Sequence, residues 1–231
     1  MLSAMRDASR TIPIVFVQIV DPVGQGFVTS VARPGGNITG LAHFEPEMGG
    51  KWLEILKEVA PQIKQVAMLY NPQSASQGAG SGVYLRSFET VASALAVRPR
   101  ALPIRDAAEI ERAVGPFAAE PNGGLLVPPD IFNTVHRQQI IALASRHHLP
   151  AIYPYRFYVA SGGLISYGVE LLEQYRRAAE YVDRVLKGAV PGDLPIMQPT
   201  NFQLIVNLKA AKALGLAIPE SFLLRADEVI E

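Results

Sequence analysis

The chain has no cysteine, which excludes disulfides, thiolate metal sites and cysteine nucleophiles. Histidine is scarce as well. His43 and His136 stand apart, His147 and His148 are adjacent, and no pair has the spacing with which a helix face holds zinc. Neither sign of charge is in excess: 21 lysines and arginines balance 21 aspartates and glutamates. That balance removes the electrostatic basis for binding nucleic acid or an anionic membrane. No apolar run approaches the roughly 20 residues that cross a bilayer. In "MLSAMRDASRTIPIVF", Arg6, Asp7 and Arg10 occupy the positions where an export signal carries its apolar centre, so no such signal is read in the chain as given. A phosphate-cradling Gly-Lys-Ser/Thr and a nucleophile-elbow Gly-x-Ser-x-Gly are both missing.

What is present is a strand–helix alternation over 231 residues, of which 49% are hydrophobic. Apolar runs bounded by turn residues predict strands at 12–17, 38–42, 65–70, 124–127, 151–153, 164–167 and 203–206. Several are apolar throughout, as strands covered on both faces are. Helical faces are read at Met48, Trp52, Ile55, Leu56 and Val59, at Val135, Ile140, Ile141 and Ala144, and at Val169, Leu172, Ala179, Val182 and Leu186. The periodicity assigns Trp52 to packing. This alternation predicts an α/β fold with mainly parallel sheets. Breaks at Pro61, at Ser166 to Gly168 and in "GAVPGDLPIMQPTNF" divide it into two lobes, one of residues 1–62 and 169–195, the other of 63–168 and 196–231. The polar, glycine-rich "NPQSASQGAGSG" reads as a loop that moves or closes on something.

The stretch Val15–Gly40 runs from an apolar strand into Asp-Pro and Gly24-Gln25-Gly26. The dinucleotide fingerprint would need a third glycine where Thr29 stands, and an acid about 20 residues later that is also missing. More telling is a recurrence of polar groups just after strands: Asp21, Asn71, Asp130 and Tyr167-Gly168. In open α/β sheets the carboxyl ends of strands edge the ligand crevice. Asp21 reads equally as the cap of a helix starting at Pro22, and Asn71 and Asp130 also fit turn starts. Tyr153, Tyr155, Phe157, Tyr158 and Tyr167 gather in "AIYPYRFYVASGGLISYG". They offer flat surfaces for a ligand, about half of them being core; Tyr153 and Tyr155 share a side, with one of the two facing the opening.

The segments "IPIVFV", "DPVGQGFV", "ARPGGNITG", "KWLEILKEVAP", "GGLLVPPDIFNTVHRQQIIALASRHHLPAIYPYRFYVASGGLISYG", "YRRAAEYVDRVLKGAVPGDLPIMQPTNFQLIVNLKAAKALGL" and "IPESFLLRADEVIE" occur in this order over nearly the whole chain. Together they resemble the substrate-binding proteins of ABC transporters, of the tryptophan/tyrosine type. The resemblance implies a type I periplasmic binding protein: two flavodoxin-like α/β lobes with a ligand closed between them, no catalysis, no cofactor, a membrane permease as partner and a place in the periplasm or cell envelope. It also implies an export signal and further strand–helix units ahead of "TIPIVFV", so the first lobe is expected to be incomplete. With strand-end placement it points to Asp21, Asp130 or Glu170 for an amino acid's ammonium, and to Thr39, Ser74 or Ser76 at helix starts for its carboxylate. Gly40, Asn71, Tyr153 and Tyr167 complete the expected ligand-binding set. Two alternatives stay open, an α/β enzyme acting on a small metabolite and a ligand-sensing regulatory module of the same fold.

Overall fold

A computed structural model describes residues 2–75 and 81–231. Two compact units are present, one of residues 1–45 and 169–201, the other of 46–168 and 202–231. The first boundary lies before helix Met48–Val59 and not at Pro61. That helix buries Trp52, Leu53, Ile55, Leu56 and Val59 within the larger unit. Trp52 donates its indole N–H to the Tyr167 carbonyl at 2.7 Å and meets the Tyr84 ring edge-on. The last boundary falls after Asn201, because residues 194–197 are bonded into the smaller unit.

In the smaller unit, β1 (Ile14–Ile19) pairs in parallel with β2 (Ile38–Ala42). At Gly40 the strands approach so closely that a Cβ would lie 2.1 Å from the Phe16 carbonyl oxygen, and φ is +151°; only glycine fits there. Met197 bonds along the far side of β2, donating its N–H to the Gly40 carbonyl at 3.0 Å and accepting from the Ala42 N–H at 2.8 Å. Leu2, Ile14, Phe16, Val28, Ile38, Ala42 and Ile196 form the core.

Helix Leu171–Leu186 packs on this sheet through Gln174, Ala178 and Tyr181, whose hydroxyl donates to the Pro195 carbonyl at 2.7 Å. The helical face expected from the sequence is a different one. Val169 is buried, but Leu172, Val182 and Leu186 are exposed, Leu186 to 82%. A mixed helix presents more than one apolar stripe, and here the tyrosine anchor decides which one turns inward.

The larger unit holds β3 (Gln65–Tyr70), β4 (Arg98–Pro103), β5 (Gly123–Leu126), β6 (Ala151–Tyr153), β7 (Ile165–Val169), β8 (Phe202–Asn207) and β9 (Glu228–Ile230). Their spatial order is β4-β3-β5-β6-β7-β8-β9. The pairs β3–β4, β3–β5, β5–β6, β6–β7 and β8–β9 are parallel. The central β3, β5 and β6 are buried almost end to end, which is why they read as apolar runs. The unit's first five strands therefore lie second, first, third, fourth and fifth. In that doubly wound order the chain leaves β3 for one side of the sheet and returns to the other, opening a crevice at the carboxyl ends of β3 and β5.

Candidate functional site

The strand-end crevice of the larger unit is organised by one carboxylate. Asp130, half-buried, heads the short helix Ile131–Val135 after β5, with extended backbone dihedrals and Oδ1 accepting the Phe132 N–H at 2.8 Å. Its Oδ2 accepts from Ser74 Oγ at 2.6 Å, from Ser81 Oγ at 3.0 Å and from the Ser81 N–H at 3.3 Å. Three donors converge on Oδ2 and one reaches Oδ1. Asp130 thus ties both arms of the loop after β3 to the loop after β5 through Oδ2, while Oδ1 accepts from Phe132 alone and keeps acceptor capacity for the ammonium contact expected of it.

The loop after β3 builds the facing wall. Asn71 Oδ1 accepts the Gln73 N–H at 2.9 Å, an Asx turn that starts helix Pro72–Ala75, and the Asn71 N–H donates to Ser81 Oγ at 3.0 Å. Ser81 is fully buried. Asn133, also buried, donates its side-chain amide to the Pro128 carbonyl at 3.1 Å and the Leu69 carbonyl at 3.4 Å, stitching the end of β3 to that of β5. Neither Ser81 nor Asn133 is among the residues expected from the sequence. Their only signal is position: Ser81 falls in the glycine-rich stretch that reads as loop, and Asn133 follows Asp130 by three residues. Ser76 lies outside the described residues.

Aromatic rings flank this rim. Tyr153 and Tyr158 stack with centroids 5.0 Å apart, Tyr158 and Phe157 at 5.0 Å, and Phe157 and Tyr155 at 5.3 Å. Tyr153 and Tyr155 are both buried, at 1% and 8% exposure, so neither faces an opening, whereas Phe157 is half-exposed. The ladder of rings fills the interior, with the half-exposed Phe157 between Tyr158 and Tyr155. Burial pushes the Tyr153 hydroxyl well up and the Tyr158 hydroxyl up to about 12; the latter lies 3.5 Å from Thr134 Oγ1. Tyr167, half-buried in β7, stacks on Phe202 at 5.6 Å.

The remaining candidates lie in the smaller unit and have local partners. Asp21 (φ +42°) accepts the Gly24 N–H at 2.8 Å. It caps a succession of turns over residues 21–27 where a helix beginning at Pro22 was expected. Thr39 is fully buried and donates its hydroxyl to the Leu194 carbonyl at 2.7 Å. Glu170 caps helix Leu171–Leu186 by accepting from the Leu172 and Glu173 N–H groups at 3.0 and 2.9 Å. With Leu41, Met197 and the buried Gln174 it lines a shallow open hollow within that unit. No cluster of metal-ligating residues occurs among the described residues.

In open α/β sheets the switch point is where small ligands bind. Residues 3–230 match the ABC transporter substrate binding protein family, and the chain belongs to that family. It is 26% identical over 213 residues to a tyrosine-binding protein of Clostridioides difficile, covering 92% of this chain and 60% of the relative. The chain thus spans about three-fifths of the length of that curated relative. A conserved domain protein from Vibrio cholerae superposes with a TM-score of 0.87 at 28% identity, over 99% of this chain and 75% of the other. An ABC domain from Streptococcus pneumonia in complex with L-Trp gives 0.86 at 24% identity, over 99% and 75%, a likeness of fold. The fold is the mixed, mostly parallel α/β fold of type I periplasmic binding proteins.

Proposed function

We propose that this chain is the solute-binding component of an ABC transporter, and that it captures an amino acid at the carboxyl ends of β3 and β5 for delivery to a membrane permease. The observation carrying this reading is the Asn71–Ser74–Ser81–Asp130 network at the switch point, a crevice wall fixed before any ligand arrives. Preorganised polar groups bind at lower entropic cost than mobile ones. An amino acid is favoured because one relative is named for tyrosine and a protein of the same fold holds L-Trp. Family membership supports a permease partner and a place in the cell envelope.

The test is thermal unfolding of the purified chain against all common amino acids, with purines and small sugars as controls. A ligand that binds only the folded state raises the midpoint by mass action. A saturable rise with one amino-acid class supports the proposal. A rise with sugars or purines alone moves the chain to another ligand class, and a transition unmoved by every compound refutes capture by this chain.

A further inference from the structure

Three arginines among the described residues are half-buried: Arg6, Arg137 and Arg177. Arg6 has the Asp7 carboxylate at 3.1 Å and Arg177 has that of Glu173 at 3.0 Å. Arg137 has no ion-pair partner among the described residues. Its Nη1 donates to the Thr134 carbonyl at 3.1 Å, its Cζ lies 5.7 Å from the centre of the Phe157 ring, and its buried Nε has no hydrogen-bond acceptor. A guanidinium carries five N–H donors and no acceptor, so most of its capacity is unspent.

The position makes this more pointed. Arg137 is the first residue of helix Arg137–Arg146, whose preceding residue, His136, supplies no side-chain cap. The amino end of a helix is the positive end of its dipole, where a cation is disfavoured and an anion welcome. The acid closest in sequence, Asp130, makes no ion pair with it and accepts instead from Ser74, Ser81 and the Phe132 N–H. Thr134 lies one turn beyond Asp130, its N–H donating to the Asp130 carbonyl at 3.0 Å, which keeps Arg137 at the carboxyl end of the sheet.

We infer that Arg137 reads the α-carboxylate of the captured amino acid, an assignment that rests on the amino-acid reading above. The planar fork matches a carboxylate in bidentate geometry. The Phe157 ring beside it, half-exposed although stacked on Tyr155 and Tyr158, supplies an apolar edge for the ligand's side chain. Asp130 then serves as the strut that holds the rim, and Arg137 supplies the charge.

The experiment is isothermal titration of the full chain with L-tyrosine and L-tryptophan, with their methyl esters, which keep the amine and lose the carboxylate charge, and with tyramine and tryptamine. Wild-type protein is expected to favour the free acids by about 10- to 100-fold, the range of a charged hydrogen-bonded pair. In Arg137→Met that preference is expected to vanish through loss of affinity for the acids alone, and in Arg137→Lys to return in part. Equal binding of acid and ester by wild-type protein overturns the inference and leaves amino-acid capture standing, even if the methionine variant fails to fold. A preference that survives in a folded Arg137→Met protein overturns it as well. Absence of heat with every acid, ester and amine overturns capture of an aromatic amino acid and, with it, the inference as drawn for such a ligand.

Discussion

His43 follows β2 and is 5% exposed, its N–H donating to the Ile19 carbonyl at 2.9 Å and its ring meeting Phe44 edge-on at 4.3 Å. Desolvation by burial lowers its pKa from 6.5 to about 3. The unfolded chain therefore takes up a proton near pH 6.5, whereas the folded chain resists it until about pH 3. Because the folded pKa is the depressed one, the stability at stake is fully present above 6.5 and is lost as pH falls from there towards about 3. Each pH unit within that window removes about 1.4 kcal/mol, so about 2 kcal/mol is gone at about pH 5. Urea unfolding at about pH 7.5 and about pH 5, on wild type and His43→Gln, isolates the effect by subtraction, since both proteins share every other titrating group. Circular dichroism follows the whole chain, while fluorescence of the single tryptophan, Trp52, follows the larger unit. The wild-type protein is expected to lose about 2 kcal/mol more than the variant on acidification, in the dichroism transition first. Equal losses in the two proteins would refute the claim that a buried neutral imidazole sets this dependence.

Two substitutions test the structural claims made above. Asp130→Asn replaces an acceptor of four hydrogen bonds with an amide that offers donors to the donors of Ser74 and Ser81. A loss of about 2 kcal/mol by urea unfolding is expected, together with weakened ligand binding; unchanged stability would show that the carboxylate is not the strut. Gly40→Ala would place a methyl group 2.1 Å from the Phe16 carbonyl at φ +151°. The strain should cost more than about 2 kcal/mol, and a variant as stable as wild type would contradict the close approach of β1 and β2.

Buried parallel strands were legible in the sequence because β3, β5 and β6 must be apolar on both faces. β4 was not legible: "RPRALP" is an exposed edge strand containing two prolines, and its pairing comes wholly from β3. The same limit explains helix Leu171–Leu186, where periodicity located the helix but picked the stripe that is left exposed. Asn71, Ser74 and Asp130 were singled out because a general rule places ligand groups at strand ends, and the structure joins these three in one hydrogen-bonded network. Ser81, Asn133 and Arg137 escaped because their meaning depends on contacts the sequence does not display: Ser81 and Asn133 take partners 49 and 64 residues away, and Arg137 is distinguished by the ion pair it does not make. Thr39 and Glu170 carry residue types suited to a ligand, yet their polar atoms are committed to a buried carbonyl and a helix start.

The central claim is that the switch point of the larger unit binds an amino acid, and a crystal structure of the chain grown with L-tyrosine or L-tryptophan tests it most directly. The account requires the bound molecule at the carboxyl ends of β3 and β5, its carboxylate on Arg137 and its body against Phe157. An amino acid bound with no contact to Asn71, Ser74, Arg137 or Phe157 would contradict it.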